Sequence, residues 1–178
     1  MAKDGNIYLI GPMGSGKTAV GRELARRLKR RFVDTDLVLE RRCGASIEDV
    51  FAKRGEPAFR RLERDEVRRV AKRSSLVVAL GGGAPAQPEV RRLLSSTGTT
   101  VLLTCDQRTL WKRLAPRKRS RPLLHAPSDA HSRARLAAVI RKRKHAYPKG
   151  DFHISTTRLD AKAVARAIVR RLSDEERN

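Results

Sequence analysis

Gly11-Pro12-Met13-Gly14-Ser15-Gly16-Lys17-Thr18 directly follows the apolar run Ile7-Tyr8-Leu9-Ile10 and opens a helical pattern with Val20, Leu24 and Leu28 on one face. Strand, glycine-rich loop and helix, in that order, form the setting in which Gly-x4-Gly-Lys-Thr becomes a phosphate cradle rather than a chance match. Gly11, Gly14 and Gly16 let the backbone turn where a Cβ would clash, so successive N–H groups can converge on an anion. The helix beginning near Lys17 adds its positive end. Gly14, Ser15, Gly16, Lys17 and Thr18 are thus the expected phosphate-binding residues, with Lys17 reaching the terminal phosphates and the Thr18 hydroxyl available to Mg²⁺.

Working outward, residues 6–10 read as a first strand and the helix after the loop runs to about Arg30. Phe32-Val33 begins a short second strand ending in Asp34-Thr35-Asp36, followed by a helical stretch over 37–43. Ser46 suits the cap of a helix that carries Ile47, Val50 and Phe51 inward. Gly55-Glu56-Pro57 breaks that helix, and Pro57 fits the first turn of the next, over about 57–73. The continuous apolar run 76–80 marks a strand covered on both faces and ends in Gly81-Gly82-Gly83. Further helices are expected over 88–95, 107–115, 132–146 and 161–172, further strands over 101–103 and 152–154, and a basic loop over 116–131. Strands alternating with helices predict a five-stranded parallel sheet with helices on both faces. Ligands of such sheets bind beyond the carboxyl ends of the strands. The phosphate loop, Asp34-Thr35-Asp36 and the triple glycine all fall at those ends, so they are expected to converge.

The chain has 178 residues, enough to bury a core and expected to form one domain over 1–178. No run approaches the ~20 apolar residues of a membrane span, and the first residues lack a signal-peptide pattern. Cys43 and Cys105 match no metal or redox spacing and read as reduced thiols, which points to the cytoplasm. Lys and Arg total 41 against 19 acidic residues, a formal net charge of +22, which favours anionic partners. The basic residues are nonetheless spread through the predicted helices and read as solvated helix surface. With Trp111 alone and few Tyr or Phe, no base-stacking platform is visible, so nucleic acid is not the expected partner.

The fully apolar strand 76–80 ends in glycines where many nucleotide-binding sheets place a magnesium-organising Asp. The acidic work therefore falls to Asp34 and Asp36: one can serve Mg²⁺ and the other an acceptor hydroxyl, while the plainer alternative is that the turn caps the helix at 37–43. The triple glycine can bring bare backbone N–H groups close to a small ligand, or simply form a tight turn.

Gly11 to Thr18, Asp34-Thr35-Asp36, Gly55-Glu56-Pro57-Ala58-Phe59-Arg60-Arg61-Leu62-Glu63, Gly81-Gly82-Gly83 and Arg121-Pro122-Leu123-Leu124 occur in the order and spacing of the shikimate kinases. The chain resembles that family from about residue 6 to 172. The resemblance implies a three-layer α/β P-loop NTPase fold with a mobile lid over about 116–131 and substrate-binding helices over about 37–73. It implies transfer of the γ-phosphoryl of ATP to the 3-hydroxyl of shikimate, with Mg²⁺, in a monomer. By position, Lys17 would contact the transferring phosphoryl group and Thr18 and Asp34 would hold Mg²⁺. Asp36 would grip the reacting hydroxyl, and Arg60 and Arg143 would pair with the shikimate carboxylate, a match for planar guanidinium. Glu63, one helical turn beyond Arg60, could hold it in place. Gly82 and Gly83 would offer backbone contacts, Phe51 and Phe59 would wall the pocket, Arg113 would lie on adenine, and Arg121 would swing over the phosphates. A gluconate kinase or an antibiotic phosphotransferase would share the loop and lid without needing Arg60 and Arg143 together.

Overall fold

The computed structural model describes residues 5–116, 128–144, 147 and 150–175, with the side chains of 142–144 and 175 left aside. Five strands, β1 (Asn6–Ile10), β2 (Arg31–Asp34), β3 (Leu76–Ala79), β4 (Gly98–Thr104) and β5 (Phe152–Ser155), form one parallel sheet in the order β2-β3-β1-β4-β5. The helices are α1 (Lys17–Leu28), α2 (Thr35–Cys43), α3 (Ile47–Ala71), α4 (Pro88–Thr97), α5 (Gln107–Leu114), α6 (Asp129–Lys144) and α7 (Ala161–Glu175), with a 3-10 turn at Ala84–Ala86.

β1 is buried along its whole length, and its alternating side chains divide the core in two. Ile7 and Leu9 pack with Val20 and Leu24 of α1 and with Val164 and Ile168 of α7. Tyr8 and Ile10 face the other way, against Val67 and Val70 of α3 and Val90 and Leu94 of α4. That is the three-layer arrangement expected from the apolar runs. Leu9 pairs with Ala79 and Asp34 also pairs with Ala79, so the carboxyl ends of β1, β3 and β2 lie side by side. The phosphate loop, the Asp34 turn and the triple glycine leave the sheet from those three ends.

The expected elements are present, with shifted ends. β4 begins at Gly98, three residues ahead of Val101, because Gly98 pairs with Asn6 of β1. Extended backbone at Gly98 (φ 168°) makes this glycine part of the strand and not a turn. α6 starts at Asp129, inside the expected loop, where the Ser128 hydroxyl accepts the His131 N–H at 3.3 Å. The helix over 47–71 is interrupted at Gly55, whose φ of 73° and ψ of 169° are open to glycine at little cost, and it resumes with Pro57 in the first turn of its second half. Residues 117–127 of the expected lid lie outside the described residues. Among the described residues no helix is long and apolar enough to cross a membrane, and Cys43 and Cys105 are free thiols.

At the end of the sheet away from the phosphate loop, a buried polar side chain ties β1 to β3 and to the end of α3. Asn6 is fully buried; its Nδ2 donates to the Arg73 carbonyl at 2.7 Å and to the Tyr8 hydroxyl at 2.9 Å, and its Oδ1 accepts the Leu76 N–H at 3.0 Å. The Tyr8 hydroxyl in turn meets Thr97 Oγ1 at 2.7 Å. Asn6→Leu would strip the buried Leu76 N–H and the part-buried Arg73 carbonyl of this partner, at a cost of about 2–4 kcal/mol. The expected outcome is a melting temperature lower by roughly 5–12 °C, with substrate KM values unchanged because the site is at the other end of the strands. A drop of less than a degree in thermal scans would contradict this role.

Candidate active site

The phosphate loop is built as its glycines require. Gly14 and Gly16 have φ of 79° and 93°, left-handed values that put successive loop N–H groups on the inner side. Gly16 caps α1 without any side-chain bond, so the first-turn N–H groups of that helix are open to an anion. Lys17 folds back over the loop, its Nζ donating to the carbonyls of Gly11 and Pro12 at 2.9 and 3.0 Å. Ser15 is fully buried beneath the loop; its N–H closes a turn on the Pro12 carbonyl at 3.2 Å and its hydroxyl points inward.

At the end of β2, the Asp34 side chain caps the following helix, the plainer of the alternatives the sequence left open. Asp34 Oδ1 caps α2 by accepting the N–H of Asp36 at 3.1 Å and of Leu37 at 3.4 Å. Its Oδ2 accepts the Thr18 hydroxyl at 2.7 Å, tying this turn to the phosphate loop. Thr35, fully buried, donates to the Ala79 carbonyl at 3.3 Å and accepts the Gly81 N–H at 3.0 Å, fastening the turn to the end of β3. Asp36 is left facing the cleft, half-buried. Burial first, then the charges of Asp34 and Glu63 and, less strongly, of Glu40, push its carboxyl up to about 6, against the pull of the Lys17 ammonium.

Arg60 lies across the cleft on the second half of α3. Glu63, with 1% of its side chain exposed, accepts Arg60 Nη1 at 2.7 Å, and Glu56 accepts Nη2 at 3.0 Å and Nε at 3.2 Å. The guanidinium stands 5.3 Å from the centre of the Phe59 ring, which packs tilted on Phe51 at 5.6 Å. Burial disfavours the charge of Arg60, but the carboxylates of Glu63 and Glu56 outweigh it and hold its pKa above the ordinary value.

Two of the three glycines leave room for charged side chains of the site. A Cβ on Gly81 would stand 2.5 Å from Asp36 Oδ1 and 2.7 Å from Glu63 Oε1, and one on Gly83 would collide with the Arg60 guanidinium. Gly82 turns its carbonyl to the Tyr147 hydroxyl at 2.9 Å. On the far side of the loop, Arg113 donates to the Gly14 carbonyl at 3.3 Å, to Thr156 Oγ1 at 3.1 Å and to the Thr156 carbonyl at 2.8 Å.

These groups line one cleft of about 670 Å³, which brings together Gly14, Gly16, Lys17, Thr18, Asp34, Asp36, Arg60, Gly82, Gly83 and Arg113. Arg121 lies outside the described residues, as does the side chain of Arg143, whose backbone belongs to α6. Thr18 Oγ1 and Asp34 Oδ2 present two hard oxygens side by side, a donor set that suits Mg²⁺, which needs only one or two protein ligands beside water and phosphate oxygens. Sequence reasoning missed Thr35, Tyr147 and Glu40, whose Oε1 accepts the Ile47 N–H at 3.1 Å and so holds the start of α3. Thr35 could have been found from its place between the two aspartates; Tyr147 carries no local signal for its bond to Gly82.

The cleft thus holds the phosphate loop, the Asp36 carboxylate and a braced guanidinium together. The family model for shikimate kinase matches residues 13–173. The shikimate kinase of Moorella thermoacetica is 43% identical over 166 residues, covering 92% of each chain, and that of Thermus thermophilus is 37% identical, covering 93% of this chain and 89% of its own. Among solved structures, the shikimate kinase of Acinetobacter baumannii in complex with shikimate superposes with a TM-score of 0.91 at 35% identity, covering 97% of this chain and 95% of its own. Likeness of sequence over nearly the whole length, on the same fold, places the chain in the shikimate kinase family.

Proposed function

We propose that this chain transfers the γ-phosphoryl group of ATP to the 3-hydroxyl of shikimate, yielding shikimate 3-phosphate and ADP for aromatic amino-acid biosynthesis. It would do so as a one-domain cytoplasmic monomer, with nucleic acid playing no part. The observation that carries this reading is Arg60, a braced cation placed in the same cleft as Asp36 and Lys17.

Lys17 exchanges its bonds to the loop carbonyls for the β- and γ-phosphates, and the loop N–H groups hold the rest of the triphosphate. Thr18 and Asp34 would hold Mg²⁺, whose charge offsets that building up on the phosphate oxygens. Arg113 supports the adenine side. Arg60, joined by Arg143, receives the shikimate carboxylate, while Gly82 and Gly83 bring backbone N–H groups against the ring. Asp36 orients the 3-hydroxyl in line with the γ-phosphorus. As the oxygen–phosphorus bond forms and the bond to the β,γ-bridging oxygen breaks, the hydroxyl proton passes to Asp36. Because the transition state is loose, alignment contributes more than proton abstraction. Arg121 and the lid over 116–131 would close on the phosphates, neutralise charge and exclude water, so that ATP is not hydrolysed.

Arg60→Ala is expected to lower kcat/KM for shikimate by more than about a hundredfold while leaving the KM for ATP within about threefold, since it removes a desolvated charge partner. Unchanged saturation by shikimate would remove Arg60 from the acceptor site.

Asp36 gives a pH signature in the protein free of nucleotide and metal. The folded chain binds the Asp36 proton more tightly than the unfolded chain, whose carboxyl titrates near its ordinary 3.8. Its contribution to stability is therefore full below about pH 4 and is lost as the pH rises through about 6. Asp36→Asn is expected to raise the melting temperature by a few degrees at about pH 7.5 and by less at about pH 4. An equal effect at both pH values would contradict the raised titration.

A further inference from the structure

Gln87 precedes Pro88, which holds its backbone extended at φ −82° and ψ 122°. It occupies the N-cap of α4, where a polar side chain ordinarily turns back onto the free N–H groups of the helix. Here it makes no cap bond. Its Nε2 donates instead to Glu63 Oε2 at 3.1 Å, and its Oε1 accepts Arg64 Nη1 at 3.0 Å. The amide orientation is dictated by its neighbours: reversed, it would point N–H at a guanidinium and oxygen at a carboxylate.

Glu63 Oε2 is also the oxygen that accepts Arg60 Nη1 at 2.7 Å. The terminal torsion of a glutamate is soft, so each donor it meets narrows the turn of the carboxylate. Two donors on one oxygen, from α3 and from the start of α4, restrain that turn. They also keep Oε1 against Gly81, 2.7 Å from where a Cβ would stand. Arg64, Gln87, Glu63 and Arg60 form a chain of hydrogen bonds that leaves α3, crosses to α4 and returns to the cleft.

We propose that Gln87 is a positioning residue for acceptor binding: by fixing Glu63 it keeps the Arg60 guanidinium in the place where the acceptor carboxylate docks. The role of Gln87 rests on Arg60 being the carboxylate-binding group. Gln87 itself touches neither substrate, so its effect belongs to acceptor affinity and not to the phosphoryl-transfer step.

The test is steady-state kinetics of Gln87→Leu and Gln87→Glu with both substrates varied, beside Arg60→Ala. Gln87→Leu keeps the bulk and removes both bonds; the KM for shikimate is expected to rise about three- to tenfold, the size of one ordinary net hydrogen bond lost. Gln87→Glu faces Glu63 with a like charge and is expected to raise it further. In both, kcat and the KM for ATP are expected to stay within about twofold. An unchanged shikimate KM in both variants while Arg60→Ala raises it overturns the role of Gln87 alone. Parallel rises in the two KM values with a lower melting temperature overturn it too, since a merely structural residue behaves in that way. An unchanged shikimate KM in Arg60→Ala overturns the reading beneath it. If Gln87→Leu fails to fold, the isosteric Gln87→Glu carries the same comparison.

Discussion

Glu63 keeps a carboxylate with 1% of its side chain exposed, and that charge has to be matched where it stands. The Arg60 guanidinium matches it at 2.7 Å; removing one partner of such a buried pair typically costs about 3–5 kcal/mol because the other is left uncompensated. Much of the site follows from this pair. Gly83 leaves the space that the end of Arg60 occupies, and Gly81 that of Glu63 and Asp36, so a Cβ at either would displace those groups. The break at Gly55 starts a new helical segment that sets Phe59 and Arg60 beside the cleft. Asp36 is held near the middle of the pH scale partly because the Glu63 charge is close by.

The second constraint is the parallel sheet. The order β2-β3-β1-β4-β5 places the carboxyl ends of β2, β3 and β1 next to one another, so that three connections far apart in sequence open onto one cleft. Two hydrogen bonds then lock the connections to each other: Thr18 to Asp34, and the Gly81 N–H to Thr35. The polar fastening of Asn6 at the opposite end of β1 is structural and leaves the cleft end free for chemistry.

The phosphate loop was legible because its requirements are local: glycines, a lysine and a threonine at fixed spacing between a strand and a helix. The convergence of the loop, Asp34-Thr35-Asp36 and the triple glycine was legible because parallel sheets expose one kind of strand end to ligands. The division of labour between Asp34 and Asp36 was legible only as alternatives; packing shows Asp34 capping α2 with one oxygen and meeting Thr18 with the other. Gln87 and Tyr147 were not legible at all. Their partners Glu63 and Gly82 lie 24 and 65 residues away, and no periodicity encodes such contacts. Gly98 lies outside the strand expected over 101–103, yet its pairing with Asn6 draws it into β4. Among the described residues, positive side chains line the cleft only as Lys17, Arg60 and Arg113.

The most direct measurement is ADP release from Mg-ATP at physiological salt, with and without shikimate and with gluconate as a second acceptor. Saturable ADP formation that depends on shikimate and is not elicited by gluconate is the predicted result. Intact ATP binding with equal ADP release in all three conditions, or stimulation by gluconate as strong as by shikimate, would contradict the account.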